Sequence, residues 1–162
     1  MKLSNTEKLI VALDLPTTEQ AEKLVEKLGD SVSFYKIGLT LIPTGGFQLA
    51  QKLKLLGKKV FLDLKLFDIG HTIGNTIRNL SYLDVDLLTV HGDPQVVRAA
   101  SNAKDNPNMK ILAVTLLTSL DRKDLDDSLI KNGNINDLVV QRAKNALNSG
   151  ADGVIASPNE AY

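Results

Sequence analysis

Ionisable and hydroxyl side chains recur within or just after short apolar segments along this 162-residue chain. The set comprises Asp14, Lys36, Asp63, Lys65, Asp68, His91, Thr118, Ser119 and Ser157. Aspartates and lysines in alternation keep each other ionised in a dry cavity, because each charge has an opposite neighbour. A fixed array of this kind can stabilise an anionic transition state, and a lysine within it can act as a general acid. The residue types therefore predict acid–base or electrostatic catalysis.

The most informative segment is residues 61–68, with the sequence FLDLKLFD. Successive side chains of a strand alternate between its two faces, so Asp63 and Lys65 are predicted to point the same way, opposite to the interleaved leucines. Buried charges must be paired, which favours an enclosed array. The alternative is an amphipathic edge strand with both charges in water, but a position in the middle of the series argues against an edge.

Lys36 is a second lysine inside an apolar segment, FYKIG at residues 34–38. Taken alone, its ammonium could extend along the surface to reach water. Taken together with Asp14, Asp63, Lys65 and Asp68, it predicts an alternating charge array.

The elements that must position these residues alternate regularly. Continuous apolar segments, typical of strands in a covered parallel sheet, lie at residues 9–15, 33–38, 59–66, 87–92, 110–117 and 152–157. Segments with apolar residues at helical spacing lie at 17–28, 46–56, 72–82, 94–103 and 137–148. Six β/α units, the sixth of them barely begun, predict either a doubly wound open sheet or a barrel. Even spacing and the lack of a Gly-rich phosphate motif favour a TIM (β/α)8 barrel, in which all strand carboxyl ends open onto one face.

Composition limits the remaining possibilities. Nineteen basic residues balance nineteen acidic ones, which argues against a nucleic-acid-binding protein. There is no cysteine, so disulfides and thiolate metal sites are excluded. The first apolar segment is too short for a secretion signal or a membrane span, which predicts a cytoplasmic protein with no membrane partner. Residues 1–162 contain no linker and are predicted to form a single domain, with residues 119–136 as an active-site loop.

Six ordered sequence blocks resemble the orotidine 5'-phosphate decarboxylase family. They are VALD at 11–14, FYKIG at 34–38, FLDLK at 61–65 followed by Asp68-Ile69, LTVH at 88–91, AVTLLTS at 113–119 and DGVIASPNEA at 152–161. A D-x-K-x-x-D motif alone would be weak, but six blocks at matching spacing are specific.

The resemblance implies decarboxylation of orotidine 5'-phosphate to uridine 5'-phosphate in de novo pyrimidine synthesis, without a metal or an organic cofactor. It implies that Asp14 and Lys36 hold the ribose hydroxyls, that Asp63 lies beside the departing carboxylate and that Lys65 protonates C6. Asp68 is expected to reach the neighbouring subunit's site in a homodimer. Thr72, Thr118, Ser119 and Ser157 are expected to bind substrate.

The family also continues beyond residue 161 with two more β/α units that carry the phosphate-binding segments, so the chain is expected to form an incomplete barrel of about six units. Two alternatives remain open. One is a non-catalytic fragment that lacks the phosphate site. The other is a 3-keto-L-gulonate 6-phosphate decarboxylase, although those magnesium enzymes typically carry an acidic residue where this chain has Lys36.

Several other side chains are less specific. His91 could contact substrate or be structural. Arg78, Arg98, Arg122 and Arg142 fall on predicted helices or a loop and are expected to be solvated. Phe67 stands where many family members carry histidine, and Gly70 where many carry proline.

Overall fold

A computed structural model describes residues 8–158 of the chain. Its strands are β1 (Val11–Ala12), β2 (Phe34–Gly38), β3 (Lys59–Leu66), β4 (Leu87–His91), β5 (Lys110–Val114) and β6 (Gly153–Ile155). Its α-helices are α1 (Thr18–Leu28), α2 (Gly46–Leu55), α3 (Gly70–Leu80), α4 (Pro94–Asn102), α5 (Arg122–Asp127) and α6 (Ile135–Asn148). Short 3-10 segments occur at Gly29–Ser31, Leu39–Thr44 and Ser81–Leu83. The last part of the DGVIASPNEA block, including Glu160 and Ala161, lies outside the described residues.

The sheet settles the choice between an open and a barrel-type arrangement. Its strands lie in the sequential order β1-β2-β3-β4-β5-β6, and the pairs β1–β2, β2–β3 and β5–β6 are parallel. A doubly wound sheet would reverse its strand order at a switch point, whereas a (β/α)8 barrel adds each strand beside the last. The register sets Ala12 opposite Lys36 and Gly38 opposite Asp63.

The chain divides into two compact units. The first contains residues 1–64, 78–88 and 105–109, and the second contains residues 65–77, 89–104 and 110–162. The single domain expected from the sequence stays a prediction. Within residues 8–158, none of the helices combines the length and the apolar character that crossing a membrane requires.

In the first unit, helix α1 begins where the sequence predicted. The side chain of Thr17 accepts a hydrogen bond from the Gln20 amide at 3.3 Å, which satisfies one free amide of the first turn. Strand β2 then places Tyr35 and Ile37 in the core, both fully buried. Burial raises the pKa of Tyr35, whose hydroxyl has no hydrogen-bond partner among the described residues.

In the second unit, residues 119–136 are more ordered than the expected loop. They contain helix α5, which begins with a capping box between Asp121 and Asp124. Arg122 also departs from its expected solvated state. Its guanidinium donates to the carbonyls of Ile130 and Gly133 at 3.3 and 3.2 Å and so ties the start of the segment to its end.

The starts of two strand pairs share one polar arrangement. The amide of Asp86 donates to the carbonyl of Val60, and the Val60 amide donates back to the Asp86 carboxylate at 2.8 Å. Asp152 and Ile111 repeat both bonds at 2.9 Å each. A lysine also forms an ion pair with each carboxylate. Lys54 Nζ lies 2.9 Å from Asp86 Oδ2, and Lys104 Nζ lies 2.8 Å from Asp152 Oδ2. Each arrangement lies within one unit and links the amino ends of two neighbouring strands by hydrogen bonds.

Asp152 should therefore contribute stability that depends on pH. Burial alone would raise its pKa, but hydrogen bonds from Lys104 and the Ile111 amide, with the nearby charge of Lys110, outweigh burial and lower it below the ordinary value of 3.8. A lowered pKa stabilises the fold above that value, and this contribution is lost as pH falls through the folded-state pKa. We expect Asp152→Asn to lower the free energy of unfolding at pH 7 by about 1–3 kcal/mol.

Urea denaturation from pH 7 down to pH 3 measures this effect. The difference in unfolding free energy between the parent chain and Asp152→Asn should shrink toward the acid end. A difference that stays constant over this range would show that the carboxylate charge is not responsible.

Candidate active site

Three of the predicted site residues meet in the first unit. The ammonium of Lys36, on β2, lies 3.1 Å from Asp14 Oδ1 and 3.4 Å from Asp63 Oδ2. It also lies 3.3 Å from Asp14 Oδ2, so both oxygens of that carboxylate are within hydrogen-bonding distance of the ammonium. The exposed fraction of the side chain falls from 63% for Asp14 to 21% for Lys36 and 13% for Asp63. Lys36 is thus the cation between two carboxylates, with Asp63 the more enclosed of the two.

The strands explain why these side chains converge. Asp14 follows β1, Lys36 occupies the middle of β2 and Asp63 lies in β3. Because β1 and β3 flank β2 in parallel, residues near their carboxyl ends are neighbours across the ladder. The prediction that Lys36 belongs to a charge array, rather than reaching bulk water alone, agrees with these distances.

Gly38 is a member of this site that sequence reasoning did not single out. A β-carbon built on Gly38 would lie 3.3 Å from Asp14 Oδ1 and 3.8 Å from the Lys36 ammonium. The first distance is closer than ordinary van der Waals contact allows without a shift of the neighbour. Glycine at this position therefore leaves space for the Asp14–Lys36 pair. Its position after Lys36 in the FYKIG block was the available signal.

Lys65 has an unusual backbone conformation. It lies near the end of β3 with φ of 47°, in the left-handed region that non-glycine residues seldom adopt. Such a conformation costs about 1–3 kcal/mol and persists only where surrounding contacts impose it. The Lys65 amide donates to the hydroxyl of Thr89 on β4 at 2.9 Å, and Thr89 is fully buried. Side chains alternate between the two faces of a strand only where the backbone is extended, and the backbone of Lys65 is not. That the Asp63 and Lys65 side chains point the same way therefore stays a prediction.

Asp68 and Thr72 lie at the junction between β3 and α3. The carboxylate of Asp68 accepts a hydrogen bond from the Ile69 amide at 2.7 Å, just before the helix begins. Thr72 is exposed in the first turn of α3. Phe67 and Ile69 are also exposed, at 66% and 67%. Their roles in substrate binding or across a subunit interface stay predictions.

The hydroxyl residues after β5 and β6 separate into two groups. Thr118 and Ser157 line one cavity in the second unit, together with Asn136 from α6. Ser119 is exposed in the adjacent turn and is not among the residues lining that cavity. The structure therefore brings together two of the three hydroxyl residues that follow β5 and β6.

A polar cluster beside another cavity of the second unit corrects the expectation for Arg142. Its side chain is 23% exposed rather than solvated. Its Nε donates to the carbonyl of Thr115, and its Nη2 lies 3.4 Å from Asp93. Asp93 also lies 2.7 Å from Nδ1 of His91, whose ring stacks at a tilt against Phe67 with centroids 4.7 Å apart. His91 therefore has clear structural partners, and its contact with substrate stays a prediction.

Comparisons with known proteins show which family has this sequence pattern. The sequence model described as "Orotidine 5'-phosphate decarboxylase / HUMPS family" matches residues 7–162. The chain belongs to this family. It is 58% identical over 156 residues to the orotidine 5'-phosphate decarboxylase of Ruegeria pomeroyi, covering 96% of this chain and 65% of that protein. It is 57% identical to the corresponding protein of Jannaschia sp., covering 96% of this chain and 68% of that protein.

Solved structures of the family confirm the fold. The crystal structure of orotidine 5'-phosphate decarboxylase from Lactobacillus acidophilus matches with a TM-score of 0.85 and 38% identity, covering 94% of this chain and 72% of that one. The predicted α/β class, with about six units of a TIM-barrel fold, is confirmed. The chain spans about two thirds of the length of the curated relatives it matches, which agrees with the expectation that family members continue beyond the sixth strand.

Catalysis without a metal or an organic cofactor stays a prediction from the family resemblance. Among residues 8–158, the structure shows no group of three or more histidine, aspartate or glutamate side chains arranged to hold a metal ion.

Proposed function

We propose that this chain supplies the charge array of an orotidine 5'-phosphate decarboxylase, which converts orotidine 5'-phosphate into uridine 5'-phosphate and CO2. The observation that carries the proposal is Lys36 bridging Asp14 and Asp63 in a family member whose relatives bear this name. Charge alternation of this kind favours a reaction in which negative charge moves during the chemical step. Decarboxylation is such a reaction, because the charge moves from a carboxylate to a ring carbon.

Asp63 is the residue proposed to promote cleavage of the bond between C6 and the substrate carboxylate. Its side chain is 13% exposed, and its carboxylate lies 3.4 Å from the Lys36 ammonium. A substrate carboxylate placed beside it meets a like charge in a partly dry site, which disfavours the ground state. The repulsion falls as the C6–carboxylate bond breaks and CO2 leaves as a neutral molecule. Interactions that are worse in the ground state than in the transition state accelerate the chemical step.

Lys65 is the proposed proton donor. It follows Asp63 by two residues on β3 and carries an ammonium on a flexible stem. When the C6–carboxylate bond breaks, its electron pair stays on C6, where no ring orbital delocalises it. The Lys65 ammonium stabilises that pair and then transfers one proton to C6, and solvent reprotonates the amine. One group thus supplies both the charge and the proton.

Asp14 and Lys36 are the proposed ribose ligands. The Asp14 carboxylate is 63% exposed, so its oxygens can accept from substrate hydroxyls while one side contacts Lys36. Thr118 and Ser119 are proposed to face the pyrimidine ring, and Ser157, which lines one cavity with Thr118, is proposed to bind substrate there. The phosphate ligands are expected in the segments that the family carries after the sixth strand. Asp68 remains a proposed catalytic residue that reaches the neighbouring subunit's site in a homodimer, and Thr72 remains a proposed substrate-binding residue. The cytoplasmic location belongs to the same proposal.

The family description also covers a second class of enzyme, so family membership alone leaves the reaction open. Two observations favour the decarboxylation of orotidine 5'-phosphate. The relatives at 58% and 57% identity carry that name. Lys36 occupies the position where the resembling 3-keto-L-gulonate 6-phosphate decarboxylases typically carry an acidic residue, and here its ammonium bridges two carboxylates.

The proposal can be tested with a completed chain, defined as residues 1–162 followed by the remaining C-terminal part of the Ruegeria pomeroyi relative. Loss of orotidine 5'-phosphate absorbance, with uridine 5'-phosphate identified as the product, is the expected result. Growth without uracil of a bacterial strain lacking the decarboxylase provides a second readout. A completed chain that unfolds cooperatively and binds uridine 5'-phosphate, but does not consume orotidine 5'-phosphate, would contradict the proposal. Assaying residues 1–162 alone tests whether this chain catalyses the reaction by itself or is the non-catalytic fragment considered above.

A further inference from the structure

We infer that Thr89 is a positioning residue for Lys65, acting through the Lys65 backbone amide rather than through contact with substrate. The inference rests on the proposed function for its catalytic consequence. Its structural basis is the 2.9 Å hydrogen bond from the Lys65 amide to the Thr89 hydroxyl. Thr89 was part of the LTVH block in the sequence but had no role assigned to it.

The backbone of Lys65 has a conformation that is unusual for a strand residue. Its φ of 47° is one of three positive values among the non-glycine residues that the structure describes. The other two, Asp84 and Leu129, lie outside the strands, whereas Lys65 lies within β3. A strand residue relaxes to an extended conformation unless a contact prevents it. The structure offers such a contact at the Lys65 amide.

Thr89 lies in the core of the second unit. It has 0% exposure and is one of two fully buried polar residues in the described chain, the other being Thr115. A buried hydroxyl in an apolar strand needs hydrogen bonds to offset its desolvation. Because Thr89 is β-branched and its rotation about χ1 is restricted, its oxygen is held at a fixed place on β4. A fixed acceptor defines where the Lys65 amide must be.

The backbone of Lys65 determines where its ammonium can lie. The direction in which a side chain leaves the backbone follows from φ and ψ, so the left-handed conformation of Lys65 sets where its stem begins. If the amide lost its acceptor, relaxation of φ would redirect the stem. Displacement of a reacting group by about 1 Å can cost about 100-fold in rate. Thr89 thus fixes the point at which the Lys65 side chain leaves the backbone, without itself contacting the substrate.

The test compares two substitutions in the completed chain. Thr89→Val keeps the shape and removes the acceptor, while Thr89→Ser keeps the acceptor. We expect Thr89→Val to lower kcat by about 10- to 100-fold with little change in KM, because ground-state binding does not depend on the donor. Thr89→Ser should retain most of the parent kcat. In a Lys65→Ala background, Thr89→Val should cause no further loss, since both changes remove one function.

A second measurement separates the inference from the proposed function. Hydrogen exchange of the Lys65 amide, followed without substrate, should accelerate in Thr89→Val and remain slow in Thr89→Ser. If the parent completed chain does not decarboxylate orotidine 5'-phosphate, the proposed function fails, and the exchange rates still report on Thr89. Equal turnover and equal exchange in the two variants would overturn the inference. Thr89→Ala replaces Thr89→Val if the valine variant does not fold, with the same expected contrast to serine.

Discussion

Replacing Lys65 by alanine in the completed chain should lower kcat for orotidine 5'-phosphate by at least about 1,000-fold. Removal of a general acid costs about 100- to 10,000-fold, and removal of one electrostatic contact to a developing charge costs about 100- to 1,000-fold. Lys65 is proposed to provide both, so its loss leaves the C6 carbanion beside the Asp63 carboxylate without its stabilising cation and its proton donor. Steady-state decay of orotidine 5'-phosphate absorbance measures the effect.

Lys59→Ala is the matched control, because Lys59 begins the same strand, β3, at its opposite end. It should keep turnover close to that of the parent. Lys65→Arg retains a positive charge but not a readily transferred proton, since guanidinium stays protonated in proteins. It should remain far below the parent. Turnover by Lys65→Ala within tenfold of the parent would remove Lys65 from the proposed mechanism.

The second large effect is expected at Lys36. Lys36→Met keeps the length of the side chain but leaves Asp14 and Asp63 without the ammonium that lies 3.1 and 3.4 Å from them. Breaking a well-buried pair costs about 3–5 kcal/mol, and the partial exposure here reduces the expected loss of stability to about 1–3 kcal/mol. Loss of the array should also lower kcat/KM by about 100- to 1,000-fold. Urea denaturation and steady-state kinetics measure the two effects.

Two further variants isolate the charge. Lys52→Met removes the exposed ion pair with Glu22 at 2.7 Å and should change neither quantity much, because surface pairs contribute about 0–1 kcal/mol. Adding Asp63→Asn to Lys36→Met should recover part of the lost stability, since one of the two carboxylates that lost the Lys36 ammonium is neutralised, while leaving turnover low. A double variant with no recovery of stability would show that Lys36 acts through packing of its stem instead.

The sequence allowed much of the first unit's charge site to be predicted. Asp14, Lys36 and Asp63 each interrupt or end an apolar segment, and parallel strands bring such residues to one edge. Regular β/α alternation predicted a parallel sheet, and the even spacing of the units favoured the barrel-type arrangement whose sequential strand order the structure shows. These features depend on local pattern and on general rules of strand connection, which a single sequence contains.

Other parts of the site could not be predicted because they depend on packing. Arg142 lies on an amphipathic helix, and its sequence position gives no sign that Asp93 and the Thr115 carbonyl would be within its reach. The left-handed backbone of Lys65 is equally hidden, since glycine is the usual signal for positive φ. Thr89 became informative only when the structure placed its hydroxyl against that amide.

Deuterium incorporation into uridine 5'-phosphate is the most direct test of the central claim that Lys65 transfers the proton at C6. By microscopic reversibility, a group that protonates C6 also removes the C6 proton from the product. In D2O, nuclear magnetic resonance should show the completed chain exchanging that proton for deuterium, and Lys65→Ala should not accelerate the exchange. Exchange at the parent rate in Lys65→Ala would contradict the account.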